Sequence, residues 1–241
     1  MDTPDSATAT TAHRRAELAA NLADVRARIA AACTAAGRSP EDVTLVVVTK
    51  THPASDVRLL VELGVRDVGE NRDQEAAPKA AATNDLDLRW HYVGQLQTNK
   101  AKSVAGYADV VHSLDRIRLA HALSAAAERQ QRSITALLQV SLDEDPTRGG
   151  VSATDLAELA DAVAEAPRLT LGGVMAVAPL GVEPARAFAR LREIATRLRE
   201  AHPAANMVSA GMSNDLEAAI EAGATHVRIG TAVLGVRPSL R

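Results

Sequence analysis

The sequence predicts a single (β/α)8 barrel, of the TIM type, preceded by one extra helix. Eight short apolar segments alternate with helical segments, a pattern typical of parallel strands joined by helical crossovers. The chain has 241 residues, close to the usual size of such a barrel. A doubly wound open sheet is the competing topology. The first strand is not followed by G-x-G-x-x-G, which weakens that alternative.

The front of the chain is expected to contribute a tail and the extra helix. Residues 1–11 are Thr, Ala, Ser, Asp and Pro without periodicity, which predicts a disordered tail. Residues 12–36 are helical in character, and Gly37 provides a typical C-terminal stop. No linker rich in Pro, Gly or Ser divides the rest of the chain. Residues 12–241 are therefore expected to form one domain.

The remaining elements follow in alternation. Residues 43–49 are continuous, apolar and rich in β-branched side chains, which indicates a fully buried first strand. Further strands are predicted over 65–69, 88–94, 109–113, 135–142, 171–177, 207–211 and 226–230. Helices are predicted over 55–63, 71–82, 98–104, 115–131, 154–165, 184–201 and 214–221.

Composition argues against several kinds of partner. The formal net charge is -3 without a strongly basic tract, and aromatic residues make up only 2% of the chain, so neither nucleic acid nor a membrane surface is indicated. No apolar run approaches the length of a membrane span and no signal peptide is evident, which predicts a cytoplasmic protein. The single cysteine, Cys33, cannot form an internal disulfide, and no metal site is predicted.

Lys50 comes directly after the first predicted strand. A barrel presents its chemistry at this position, where the strands end. We expect the amine to be partly buried and to lose its proton readily, because desolvation disfavours the ammonium form. A neutral amine can attack an aldehyde and form a Schiff base. The alternative is a strand-end lysine that reaches into solvent.

The last two strands end in sequences suited to phosphate. Residues 209–213 read Ser-Ala-Gly-Met-Ser, in which Ser213 is well placed as an N-cap and Gly211 allows close backbone approach. Gly230 and Thr231 follow the eighth strand and offer N–H groups and a hydroxyl. Because the loops after the last two strands of a barrel often bind phosphate, we predict a phosphate site here. Two ordinary turns are the alternative.

Arg228 lies within the eighth predicted strand. Alternation places His226 and Arg228 on one face of the strand. If that face lines the barrel interior, the arginine needs a partner, because an unpaired buried charge is costly. A phosphate, a carboxylate or the ring nitrogen of a pyridine cofactor would serve, and a salt bridge on the rim is the alternative. His91 is a candidate acid or base, although a structural role is favoured for it.

Five motifs in the right order, between about residues 15 and 236, resemble a known family. They are Val48-Thr49-Lys50-Thr51-His52-Pro53, Gly69-Glu70-Asn71, the run from Trp90 to Lys100, Gly211-Met212-Ser213 with the residues up to Ile220, and Val227-Arg228-Ile229-Gly230-Thr231-Ala232. Together they resemble the pyridoxal phosphate homeostasis protein family.

The resemblance implies a fold-type III barrel, similar to the N-terminal domain of alanine racemase, that binds pyridoxal 5′-phosphate (PLP) as an internal aldimine. Lys50 would carry the aldimine, Arg228 would face the pyridine nitrogen, and the residues after the last two strands would hold the phosphate. The implied cofactor-binding residues are Lys50, Asn71, Met175, Ser209, Ser213, Arg228, Gly230 and Thr231. Asn71 and Met175 would line the pocket, and Ser209 would lie close to the phosphate.

The resemblance also implies a function without an established reaction. Members of the family bind PLP and regulate vitamin B6 and amino-acid balance, so we expect a carrier, with apo forms of PLP-dependent enzymes as candidate partners. A racemase is the first alternative, but neither Tyr92 nor Tyr107 is an evident catalytic tyrosine. A class I aldolase or isomerase fits the lysine and phosphate pattern but not the motifs.

Three features depart from the family pattern and concern the rim of the site. They are His52, Arg72 and the acidic loop over 141–150. The arginines of the helix over 184–201 are expected to face solvent, which favours a monomer.

Overall fold

The computed structural model describes residues 4–142 and 149–236. Eight parallel strands close into a barrel in chain order, with β1 beside β8, which confirms the predicted fold. The strands are β1 (Thr44–Val48), β2 (Asp67–Glu70), β3 (Arg89–Tyr92), β4 (Val110–Leu114), β5 (Ile134–Gln139), β6 (Leu169–Met175), β7 (Met207–Ser209) and β8 (His226–Ile229). Each strand overlaps a predicted strand, although most are one or more residues shorter than predicted.

The helices surround the barrel in the predicted alternation. They are α1 (Pro4–Ala35), α2 (Ala54–Glu62), α3 (Asp73–Ala82), α4 (Ala101–Val104), α5 (Ile117–Arg129), α6 (Leu156–Glu165), α7 (Pro184–Ala201), α8 (Leu216–Glu221) and α9 (Thr231–Leu234). The segment predicted as one helix over 98–104 begins with a 3-10 turn, and the one-turn helix α9 was not predicted. Residues 143–148 of the acidic loop lie outside the described residues.

Helix α1 begins at Pro4, eight residues before the predicted start. Residues 4–11, expected to be a disordered tail, continue the helix. Proline is tolerated in a first helical turn, and extending a helix that is already formed costs little compared with nucleating one. Leu18 and Leu22 anchor the following turns in the core, with exposures of 0% and 1%. Residues 1–3 lie outside the described part of the chain.

Alternating side chains divide the core into two layers. Outward-facing strand residues such as Val111 and Val208 pack against the helices in the large hydrophobic core. Inside the barrel, Val110, Leu137 and Met175 form a small separate apolar cluster. Polar side chains fill other parts of the interior, and they shape the site. On the outside, all five arginines of α7 are exposed, as expected.

Candidate functional site

Lys50 lies in the turn after β1, at the edge of the barrel where the parallel strands end. Thr51 beside it has a φ of 67°, a left-handed conformation that surrounding contacts must hold in place. Lys50 itself is exposed, which corrects the expectation of a partly buried amine. The turn carries the residue beyond the packed strand. Its amine is therefore accessible to a ligand at this end of the barrel.

Two side chains of α3 hold the backbone on either side of Lys50. Lys79 Nζ donates a hydrogen bond to the carbonyl oxygen of Thr49 at 2.8 Å. The Thr51 N–H donates to Glu75 Oε2 at 2.9 Å. Local patterns in the sequence do not reveal these contacts. They fix the position of the turn, and hence of the lysine.

Lys79 is also ion-paired with Glu70, and the two side chains are 7% and 0% exposed. The Thr49 hydroxyl donates to Glu70 Oε1 at 2.6 Å. The pair joins the ends of β1 and β2 to α3. A signal for it existed in the sequence, because Glu70 belongs to the Gly-Glu-Asn motif and a lysine follows on the next helix.

The end of β8 lies against the end of β1. Ile229 is opposite Val47 in the parallel register. The next residue, Gly230, packs so closely that a Cβ there would lie 3.2 Å from the carbonyl oxygen of Val48. Since Lys50 is only two residues beyond Val48, the predicted phosphate residues after β8 lie beside the lysine turn.

Ser213 links the loops after β7 and β8. Its Oγ accepts the backbone N–H of Ala232, next to Thr231, at 3.3 Å. Ser213 is not the N-cap of α8, which corrects that prediction. Met212 donates its N–H to Asp215 Oδ1 at 2.6 Å, and this turn delays the start of the helix. The two predicted phosphate loops are thus in contact.

Helix α1 braces both loops from outside. Arg28 donates to the carbonyl oxygen of Ser213 at 3.0 Å and forms an ion pair with Glu217. Asn21 Nδ2 donates to the carbonyl oxygen of Val233 in α9 at 3.0 Å. The extra helix therefore has a definite role in positioning the site, which its sequence pattern did not reveal.

Arg228 is a buried cation on the inner face of β8, with 5% exposure. Its guanidinium donates to Ser209 Oγ at 2.6 Å and to the carbonyl oxygen of Ala176 at 3.0 Å. Burial lowers the pKa of Arg228 to about 10, so the group is charged at neutral pH. Among the described residues no salt bridge pairs it with a carboxylate, so the rim salt bridge is not found.

The other predicted site residues lie in two places. Met175 ends β6 opposite Ser209 in the register, so it lies near Arg228 on the interior side. Asn71 lies in a polar cleft of about 460 Å³ over the ends of β2 and β3, which Tyr92 also lines. The structure thus brings six of the eight residues around the ends of β6, β7 and β8, with Lys50 beside them and Asn71 in the adjoining cleft.

Both tyrosines are largely buried, although Tyr92 contributes to the wall of the cleft. Tyr92 and Tyr107 are 3% and 8% exposed. Burial raises the pKa of both phenols above their ordinary range. His91 is fully buried and is hydrogen-bonded to Asp67 and His112, which agrees with the structural role favoured for it.

Within residues 4–142 and 149–236, no group of three or more His, Cys, Asp or Glu side chains is arranged to hold a metal ion. In the same part of the chain, every helix is too short or too polar to cross a membrane.

Comparisons with known proteins place this geometry in a family. The model of the alanine racemase N-terminal domain matches residues 18–238. A pyridoxal phosphate homeostasis protein of Escherichia coli K12 is 41% identical over 227 residues, which cover 92% of this chain and 97% of that protein. The chain belongs to the pyridoxal phosphate homeostasis protein family.

Solved structures agree with this family membership. PipY of Synechococcus elongatus PCC7942, solved with PLP bound, is 35% identical and has a TM-score of 0.80, with 90% of this chain and all of that chain covered. The alanine racemase of Streptomyces coelicolor A3(2) is 20% identical with a TM-score of 0.71 and shares the fold alone. This chain, as a member of the homeostasis family, spans only 59% of the length of that racemase.

Proposed function

We propose that this chain binds PLP covalently through Lys50 and acts in the homeostasis of PLP and in amino-acid balance, as a carrier and not as an enzyme. The proposal rests on one arrangement: the buried Arg228 cation lies near the turn that contains Lys50 and near the two linked loops after β7 and β8. Family membership and the PLP-bound PipY structure support it. The predicted cytoplasmic location, monomeric state and transfer to apo-enzymes stay predictions.

The residues present fit such a cofactor. PLP supplies an aldehyde that condenses with an amine, and Lys50 is an accessible amine at the strand ends. The backbone after β8, with the Ser213 and Thr231 hydroxyls, offers donors for a phosphate. Arg228 offers a charged donor to the ring nitrogen, and because it keeps its own proton, that nitrogen would stay unprotonated.

The carrier role is favoured over racemization by the surroundings of the site. A racemase needs an acid or base on each face of its substrate. Tyr92 and Tyr107 are buried, and their raised pKa values keep both phenols protonated at neutral pH, so neither has the phenolate form that could accept a proton. We expect no conversion of L-alanine to D-alanine above background by the PLP-loaded protein. Steady turnover that is lost in Lys50→Ala would instead support the racemase alternative.

The phosphate loops give a prediction of their own. Ser213→Ala combined with Thr231→Ala removes two hydroxyl donors and is expected to raise the Kd for PLP about a hundredfold or more, because hydrogen bonds to a charged group contribute about 1.5–3 kcal/mol each. Affinity is measured by following the visible absorption of the protein during titration with PLP. Ser103→Ala, on α4, is the control for loss of a hydroxyl. An unchanged Kd in the double variant would remove both hydroxyls from the site.

A further inference from the structure

A continuous chain of polar side chains crosses the barrel interior, and all of its members except the partly exposed Asp67 are buried. It begins at Asp67, at the start of β2, whose carboxylate lies 2.9 Å from His91 Nε2. His91 Nδ1 lies 2.8 Å from His112 Nε2, and His112 Nδ1 lies 2.9 Å from Ser209 Oγ. Ser209 in turn accepts from Arg228 at 2.6 Å. Between Asp67 on β2 and Arg228 on β8, the relay passes through side chains on three further strands, β3, β4 and β7.

The two ends of the relay have fixed hydrogen-bonding roles. Arg228 can only donate and an ionised Asp67 can only accept. Burial alone would raise the pKa of Asp67, but the hydrogen bond with His91 and the nearby positive charge, including that of Arg89, together lower the pKa below its ordinary value. Burial lowers the pKa of His112 well below its ordinary value, so His112 is neutral.

If each imidazole carries one hydrogen, one arrangement satisfies all four contacts. His91 then donates from Nε2 to Asp67 and accepts at Nδ1, so His112 donates from Nε2. His112 Nδ1 is the acceptor for the Ser209 hydroxyl, and the Ser209 lone pairs are left for Arg228. In this arrangement every donor in the relay points from Arg228 towards Asp67.

We propose that Asp67, His91 and His112 are positioning residues that act through Ser209 to hold the Arg228 guanidinium towards the ring of the bound cofactor. This inference rests on the proposed function. Its physical basis is that a buried cation without a carboxylate in direct contact gains from an oriented chain of dipoles that ends in a carboxylate. The Asp215 carboxylate also favours the charged guanidinium, but it forms no ion pair with Arg228. The carbonyl oxygen of Ala176 fixes the second nitrogen of the same group at 3.0 Å.

Two further groups face the relay. Arg89 Nη1 lies 3.7 Å from Asp67 Oδ1, at the partly exposed end of the relay. The ring of His226 lies 6.3 Å from that of His91 and 6.5 Å from that of His112. Burial lowers the pKa of His226 to about 4, so it contributes no charge at neutral pH. Asp67 therefore supplies the anionic end of the relay.

The first test needs no cofactor. Long-range ¹H–¹⁵N spectra of the unloaded protein report which ring nitrogen of each histidine is protonated. The signals of His112 and His91 are assigned by their loss in His112→Asn and His91→Gln. We expect both rings to carry hydrogen on Nε2. Hydrogen on Nδ1 of His112 would reverse the relay, direct a second donor at Ser209 and overturn the proposal.

The second test asks whether the effect of Asp67 travels through His112. Asp67→Asn keeps an acceptor oxygen but removes the anion, and it is expected to raise the Kd for PLP about threefold or more. The ¹⁵N resonance of the bound cofactor's ring nitrogen is expected to shift as well. His112→Asn keeps an acceptor near Ser209 but is too short to reach His91. In that background, Asp67→Asn is expected to have no further effect.

The outcomes separate the possible mechanisms. An equal rise in the Kd for PLP on Asp67→Asn in the unaltered protein and in His112→Asn would show that the Asp67 charge acts through space. That result would overturn the relay. No effect in either background would overturn it too. Asp85→Asn is the matched control, because it removes a carboxylate charge from an exposed ion pair with Arg58. It is expected to leave the Kd for PLP unchanged. If the unaltered protein takes up no PLP, the proposed function fails, while the tautomer measurement still decides the direction of the relay.

Discussion

Lys50→Ala is expected to abolish covalent attachment of PLP while the barrel stays folded. Lys50 is exposed in a turn, so its side chain contributes little to packing. The two bonds that hold the turn, to Glu75 and from Lys79, do not involve the Lys50 side chain. Truncation therefore removes the amine and leaves its surroundings in place. The visible band of the bound cofactor and the mass of the borohydride-reduced protein measure the attachment.

Lys102→Ala is the matched control for this substitution, because Lys102 is an exposed lysine on α4. It is expected to retain the band and one reducible adduct per chain. Circular dichroism and thermal unfolding of both variants should match those of the unaltered protein. A reducible adduct that persists in Lys50→Ala at full stoichiometry would show that another amine carries the cofactor.

Lys79→Met is expected to lower the free energy of unfolding by about 3–5 kcal/mol. The substitution leaves the carboxylate of Glu70, which is 0% exposed, without its cation. Breaking a buried ion pair by removing one partner is far more costly than removing an exposed charge. The Thr49 carbonyl also loses its donor at the Lys50 turn. Urea unfolding followed by circular dichroism measures the change.

A second variant separates loss of the ion pair from loss of packing. Glu70→Gln combined with Lys79→Met removes both charges and keeps an acceptor for the Thr49 hydroxyl, so it is expected to recover most of the lost stability. Lys102→Met is the surface control and is expected to change stability by less than about 0.5 kcal/mol. If Lys79→Met costs under about 1 kcal/mol, the pair does not hold the site together.

The sequence predicts the topology because local signals repeat along the chain. Each strand is a short apolar segment bounded by a helix on either side, and eight such units favour a closed parallel barrel, which the structure has. Simple alternation along β8 places Arg228 and His226 on one face, and the structure shows that this face is the inner one. The same alternation places Ser209 on the inner face of β7, where it meets Arg228.

What the sequence could not predict depends on contacts between distant residues. His112 and Ser209 are 97 residues apart, and periodicity carries no signal for their hydrogen bond. Arg28 on α1 reaches a loop 185 residues away. The exposure of Lys50 was missed because it depends on the path of the turn, which no local pattern specifies. The prediction that Ser213 is the N-cap of α8 was wrong for the same reason, because the start of that helix depends on the turn before it.

Borohydride reduction of the PLP-treated protein, followed by peptide mapping, tests the central claim most directly. If Lys50 carries the cofactor, we expect a visible band that bleaches on reduction and a single pyridoxyl group on the peptide that contains Lys50. A label on a different lysine, or a protein that takes up no PLP and stays colourless, would contradict it.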